Sequence, residues 1–468
     1  MANGAPACFD YGQPTTLAPV QLYMPGAAPR RMKTAEHPER SGGAFPATQS
    51  KDAGLLGDAP ASFDSVRHTT PDSAQDAYAG IFRAACLCLD HGVSPVNERR
   101  KAVPHTMMDT GSITFLQQAQ RNNWQRYLAS LQPGSAVGFD VCVLTASDER
   151  QAAIYRRQLD WRREAGLLPA RTRFLVIPDP AGRRIGSGGA TLHALAQVAD
   201  WAAVTGDGEP APAALRLERM LIIHSGGDSK RLPHCSAIGK LFARVPRTLP
   251  DGRTSTIFDE FLISLSALSA EAPPGVLISS GDVLLIFDHL QLACRRPGVI
   301  GVAAAVPAEM GRRHGVYVAA EGGHRVRAYL HKPSAAELAH WDAISPDGAV
   351  QIDTGLAWLD AATAAKWLAL AHEAVVAALC GPQTTVGLNL YGDLLLPLAG
   401  STTYESYLTD ESDGPATPAV QAARRVIWER LRGAVFSVER LQPAVFVHFG
   451  STAEYWRMAA GDEALARL

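Results

Sequence analysis

Residues 221–240 read LIIHSGGDSKRLPHCSAIGK and concentrate phosphate chemistry in one short stretch. Gly226 and Gly227 follow an apolar run directly, and Lys230, Arg231 and Lys240 stand close behind them. Bare glycine backbone can bring N–H groups against an oxyanion, while Arg231 and Lys240 can neutralise charge developing on a departing pyrophosphate. An ordinary turn with a solvated basic face would use the same residue types. The stretch is not a Walker loop, because His234 stands where that motif needs its first glycine and Leu241 where it needs Ser or Thr for magnesium.

A second glycine run, Ile185-Gly186-Ser187-Gly188-Gly189-Ala190-Thr191-Leu192, lies between an apolar run and a helical pattern. Free N–H groups at a helix start attract anions, which makes Gly186, Gly188 and Gly189 nucleotide-binding candidates, although a tight turn reads the same way. It fails as a dinucleotide fingerprint, since Thr191 occupies the position of the last glycine. A third signal, Ser280-Gly281-Asp282, ends the apolar run Val276–Ser279; a lone aspartate there is also a common turn residue.

These residues need a scaffold that brings loops together. Short apolar runs at 141–144, 174–177, 220–223, 276–279, 299–306, 315–318 and 351–359 alternate with helical stretches. That order predicts an α/β fold with a mostly parallel sheet, whose ligands bind at the carboxyl ends of the strands. Ser147 and the carboxylates of Asp148 and Glu149 are expected to cap and start a helix ending near Gly166, and Leu192–Val204 to form another. Residues 1–75, rich in Pro, Gly, Ala and Ser, are expected to be a flexible arm. A helical lead-in is expected over 76–135, a catalytic domain over 136–432, and a separate β element over 433–468, where apolar and polar residues alternate.

Hydrophobic residues make up 47% of the 468 and charged residues 19%, a globular rather than a disordered composition. The net charge of -2, from 44 basic and 46 acidic residues, offers no general field for a polyanion, so nucleic acid is not expected as a partner. Seven scattered cysteines do not form a disulfide framework or zinc knuckles. The N-terminus lacks the basic and apolar regions of a secretory signal, and no run of 18 apolar residues occurs, so a cytoplasmic location without a membrane partner is expected.

The 221–240 stretch resembles the nucleotide loop of sugar nucleotidyltransferases, GGxGxRL followed by PK, with Ser229 in place of the third glycine and Gly239 in place of the proline. Those departures are similar to one branch, the fucose-1-phosphate guanylyltransferases or GDP-fucose pyrophosphorylases, whose loop resembles HxGGxSxRLPxxSAxGK. The matching residues are His224, Gly226, Gly227, Ser229, Arg231, Leu232, Pro233, Ser236, Ala237, Gly239 and Lys240. GSGGATLHAL and, before it, DVCVLTASDERQA also resemble signatures of this branch, so the resemblance covers about residues 136–455 in patches.

The resemblance implies a Rossmann-like, GT-A-like nucleotidyltransferase sheet with helices on both faces, and a chain entering a β-helix near Phe446–Thr452. It implies GTP and L-fucose 1-phosphate as substrates, with Ser229 joining the glycines at the nucleotide. Magnesium is expected on Asp282, with Asp393 as a second ligand; Asp353 competes for that role or holds sugar hydroxyls. Lys332, before a proline and so expected to be extended, is implied as the grip on the sugar phosphate. No kinase loop of the PxxxGLGSS form occurs, so this chain is not expected to be the bifunctional enzyme by itself; it reads as a stand-alone form or a fragment, and a separate sugar kinase upstream is one partner the resemblance allows. A relative using UTP or another sugar, or an idle sugar-nucleotide binder on the same fold, remains the alternative reading.

Overall fold

The computed structural model describes residues 108–205, 218–227, 229–460 and 468; the expected arm and the first part of the helical lead-in lie outside them. Helix α1 (Thr110–Ser130) precedes strand β1 (Val141–Ala146), α2 (Glu149–Glu164), β2 (Arg173–Pro178), α3 (Gly186–Thr205) and β3 (Arg219–His224). A hairpin of β4 (Arg244–Thr248) and β5 (Thr254–Thr256) leads to α4 (Ile257–Ser266), β6 (Gly275–Ser280) and β7 (Val283–Ile286). Strands β8 (Val299–Pro307), β9 (Gly315–Ala319), β10 (Val326–His331) and β11 (Ala349–Asp360) follow, then α5 (Ala361–Ala371) and α6 (Pro418–Leu431). The last elements are β12 (Phe436–Leu441), β13 (Val445–His448) and α7 (Thr452–Ala459).

Strands β2, β1, β3 and β6 lie side by side and parallel, and β11 extends the sheet antiparallel to β6. The inner parallel strands β1, β3 and β6 are buried on both faces, which is why they read as continuous apolar runs, whereas β2 at the sheet edge is only half-buried. Along β1, Cys142 and Leu144 enter one core with Leu116 of α1, Tyr155 of α2 and Phe258 of α4. Val141 and Val143 point the other way, into a core with Leu192 of α3, Trp367 of α5 and Ile427 of α6. Helices therefore cover both faces, as expected.

Two boundaries shift. The α2 cap is Asp148, whose carboxylate accepts the Gln151 N–H, and this leaves Glu149 as the first-turn acid rather than Ser147 acting as cap. The region after 433 is not a separate β element. Strand β12 lies parallel to β8 inside the main sheet, and β13 pairs antiparallel with β7. Its alternating residues read as a new element because their partners lie far back in the chain. Among the described residues no helix is long and apolar enough to cross a membrane.

Asp393 does structural service. Its carboxylate accepts from Arg424 Nε at 2.8 Å and from the Asn389 N–H at 2.6 Å, and both side chains of the ion pair are 3% exposed. Arg424 also donates to the carbonyls of Tyr407 and Asp410. With both carboxylate oxygens engaged, Asp393 does not fit the expected second metal ligand. Removing one partner of such a pair strands a buried charge at a cost of about 3–5 kcal/mol. Asp393→Ala is therefore expected to lower the unfolding free energy by about that amount in urea titration. Turnover per folded molecule should change less than about twofold, since the site lies elsewhere.

Candidate active site

The carboxyl ends of β3 and β6 open onto a cleft of ≈ 590 Å³. Its walls include Arg184, His224, Gly226, Gly227, Ser229, Lys230, Arg231, Lys240 and Asp282. The first and third sequence signals thus meet in one place, because the register of β3 against β6 sets His224 beside Ser280.

The glycine loop is braced from the β1–α2 connection. Thr145 Oγ1 accepts the N–H groups of Ser225 and Gly226 at 3.2 and 3.3 Å, and Ser225 Oγ donates to the Thr145 carbonyl. Gln151 Nε2 donates to the Gly227 carbonyl at 3.0 Å while its Oε1 accepts the Ser147 N–H, so one amide joins both loops. The Gly226 N–H is accordingly turned toward Thr145. Ser229 lies in the left-handed region at φ 50°, a conformation that glycine adopts without strain. Gly239, at φ 77°, has a conformation closed to proline, and a Cβ on it would fall 2.1 Å from the Tyr155 hydroxyl, which donates to the Ser225 carbonyl.

The second glycine run sits differently from its expectation. Helix α3 begins at Gly186, so Gly188 and Gly189 are inside its first turn, and their N–H groups both donate to the Leu388 carbonyl, at 2.8 and 3.1 Å. A Cβ on Gly188 would lie 2.9 Å from the backbone of Asn389. Those N–H groups are therefore engaged by the chain itself rather than turned to an anion, and the glycines permit a close backbone crossing. Thr191, one turn on, meets His224 Nε2 at 2.9 Å and so links this run to the cleft; burial holds His224 down to about 4.

Asp282 is the acid of the cleft. Lys240 Nζ donates to its Oδ2 at 3.0 Å and Ser280 Oγ to its Oδ1 at 2.8 Å. Burial would raise this carboxyl, but His448, Lys240 and Ser280 together hold it below the ordinary aspartate range, so it is ionised at neutral pH. His448 Nε2 stands 3.7 Å from Oδ2, and its Nδ1 lies 3.6 Å from Glu454. His448 beside it, together with the Ser451 hydrogen bonds, holds Glu454 down to about 2.

Lys332 and Asp353 approach from the other half of the sheet and are not among the residues walling the cleft. Lys332 is not extended: its φ is 46°, and its N–H donates to the His314 carbonyl at 3.1 Å. A left-handed residue before proline is strained, and this one is held by β10 pairing with β9 up to the preceding residue. The His314 ring meets the His448 ring edge-on at 5.6 Å, which connects the Lys332 turn to Asp282. Asp353 accepts from the Tyr317 hydroxyl at 3.1 Å, near the stacked rings of Tyr329 and Tyr391. Burial pushes its carboxyl up to about 6, against the Tyr391, Gly355 and Tyr317 donors.

Thr145, Gln151 and Tyr155 were not singled out from the sequence, although the first two lie in the quoted run DVCVLTASDERQA. Nor was His448, which stands in the segment FVHFGST. Their signal is a contact across the fold, which spacing does not carry.

The family model of the fucose pyrophosphorylase domain matches residues 213–467. A bifunctional fucokinase/GDP-fucose pyrophosphorylase of Arabidopsis thaliana is 31% identical, over 51% of this chain and 26% of its own length. Fucose-1-phosphate guanylyltransferases of Mus musculus and Homo sapiens are 28% and 27% identical, each over 70% of this chain and over 58% and 56% of their own lengths. The chain thus spans between 26% and 58% of the lengths of these relatives.

A single hydrogen bond contributes about 1 kcal/mol, roughly a fivefold change in an equilibrium. Gln151→Leu is therefore expected to weaken binding of a nucleoside triphosphate about fivefold by calorimetry. The melting temperature should fall by about 2–4 °C, because Gln151 is buried and its amide closes a hydrogen bond to each loop.

Proposed function

The chain belongs to the fucose pyrophosphorylase domain family, and from that membership we propose that its cleft joins L-fucose 1-phosphate to GTP, forming GDP-L-fucose and pyrophosphate. The observation that carries this reading is that the matched span, 213–467, contains the phosphate loop, Asp282 and Lys332, of which the first two face each other across one cleft.

A non-bridging oxygen of the sugar phosphate attacks the α-phosphorus of GTP in line. The bond from the α-phosphorus to the oxygen bridging to the β-phosphorus breaks, and its electron pair leaves with pyrophosphate. The phosphate dianion is already nucleophilic, so the protein supplies position and charge rather than a base or covalent nucleophile. In this reading Gly226, Gly227 and Ser229 line the triphosphate, and Arg231 and Lys240 stabilise the leaving pyrophosphate. Lys332 holds the sugar phosphate, and Asp353 accepts from sugar hydroxyls beside the tyrosines. Gly186, Gly188 and Gly189 act by fixing the wall behind the nucleotide.

Magnesium fits Asp282: one ionised carboxylate in the cleft suffices, because this ion keeps waters and takes its other ligands from substrate phosphates. Bound there, it would neutralise charge on the triphosphate. Asp282 is thus assigned to orient it, and Lys240 to move between that carboxylate and the phosphates. A kinase acting at the anomeric hydroxyl must supply the sugar 1-phosphate. We place the reaction in the cytoplasm; the free, buried thiols of Cys142, Cys235, Cys294 and Cys380 support a reducing compartment.

Pyrophosphate release by the purified chain tests the reading, with four nucleoside triphosphates crossed against fucose, mannose, glucose and N-acetylglucosamine 1-phosphates. Turnover with GTP and fucose 1-phosphate is expected; turnover confined to another pair, or none, contradicts it. A phosphate clamp contributes about 3–4 kcal/mol at the transition state, so Arg231→Ala should lower kcat ~100-fold or more. A loss below about threefold removes Arg231 from that role.

The Asp353 carboxyl sits above its ordinary value of 3.8, at about 6, so the folded state keeps its proton longer than the unfolded chain. Stability from this group therefore falls as pH rises from 3.8 to about 6 and is level above that. An ionised Asp353 is needed to accept from sugar hydroxyls, so kcat/KM for the sugar phosphate should fall below pH about 6. In Asp353→Asn that acid limb should vanish along with most of the sugar affinity, while the urea midpoint at pH 7 is not lowered.

A further inference from the structure

The segment from β13 to the start of α7 has no part in the reaction above, yet it reaches both chemistry-bearing loops. The Phe449 N–H donates to the Asp282 carbonyl at 2.7 Å. The N–H and hydroxyl of Thr452 both donate to the Arg231 carbonyl, at 2.8 and 3.1 Å. Pairing of β13 with β7 sets His448 opposite Val283, the residue after Asp282. His448 is thereby placed between Asp282 Oδ2, at 3.7 Å, and Glu454 Oε2, at 3.6 Å. Glu454 is itself fixed by Ser451 Oγ, which donates to the same oxygen at 3.0 Å. Gly450 makes room for the arrangement: a Cβ there would fall 2.3 Å from the His448 ring and 2.9 Å from the Glu454 carboxylate.

We propose that His448, held from behind by Glu454, is a positioning residue for the Asp282 carboxylate, so that the C-terminal segment 445–454 belongs to the reacting centre and is not only a closing strand. The imidazole bears on the carboxylate oxygen that Lys240 also uses, and the two together restrict its rotation. When Lys240 turns to phosphate, His448 keeps the carboxylate aimed into the cleft. The proposal rests on the reading that Asp282 faces the nucleotide's divalent cation. A group that orients a metal-bound carboxylate typically contributes about 10–100-fold in metal affinity or activity.

The test compares full-length wild type with His448→Phe, His448→Gln, Gly450→Ala and Trp456→Ala, the last a control on the same segment at a side chain 61% exposed. Binding of Mn2+ in the presence of GTP is followed by electron paramagnetic resonance, beside kcat, KM and the melting temperature. His448→Phe should weaken Mn2+ binding and lower kcat by about 10–100-fold, with KM for fucose 1-phosphate within about threefold. Gly450→Ala should follow it, His448→Gln, whose amide can present an N–H toward the same carboxylate oxygen, should recover most of the loss, and Trp456→Ala should match wild type. Mn2+ affinity within about twofold of wild type in His448→Phe overturns the proposal, as does a loss equal in the Phe and Gln variants that tracks their melting temperatures. Wild type that binds Mn2+ with GTP but releases no pyrophosphate would refute the proposed reaction, and the Mn2+ comparison would still decide the role of His448.

Discussion

Lys240 and Asp282 lie 3.0 Å apart although they belong to loops that follow different strands. An aspartate in a partly closed cleft stays ionised only when opposite charge and hydrogen-bond donors offset its desolvation. Here Lys240, Ser280 and His448 do so, coming from three separate stretches of the chain. The register of β3 on β6 and of β7 on β13 is what delivers them, so the charge state of one carboxylate depends on the alignment of two strand pairs.

The same economy governs the anion loop. Its backbone is bent into conformations that no helix or strand imposes, and it is kept there by Thr145, Gln151 and Tyr155 from the neighbouring β1–α2 unit. Under the proposed reaction such bracing fixes the loop before the triphosphate arrives, which is where electrostatic catalysis gains over water. The first turn of α3 stiffens the wall next to it by closing onto residues 388–390, as Ser187 Oγ accepting the Leu390 N–H also shows. Under the proposed reaction this rigidity substitutes for a covalent nucleophile.

Much of the framework was legible because it rests on local signals. The inner parallel strands β3 and β6, buried on both faces, appear as unbroken apolar runs, and the loops carrying Gly226–Gly227 and Asp282 stand immediately after them. What escaped depends on distant partners. Asp393 reads like a site acid until Arg424 is seen against it, and Gly188 reads like an anion contact until Leu388 occupies its N–H. Lys332 departs from the extended form that a following proline favours because its N–H is held by His314. His448 carried no local signal; its partners lie far back in the chain at Asp282 and across a glycine turn at Glu454.

The central claim is that this cleft positions two phosphates for direct transfer without forming a bond to the protein. Exchange of labelled pyrophosphate into GTP, followed with and without fucose 1-phosphate, tests it most directly. Direct transfer predicts exchange only when the sugar phosphate is present. Exchange with GTP alone would reveal a nucleotidyl-enzyme intermediate, and no exchange under either condition would remove the reaction from this cleft.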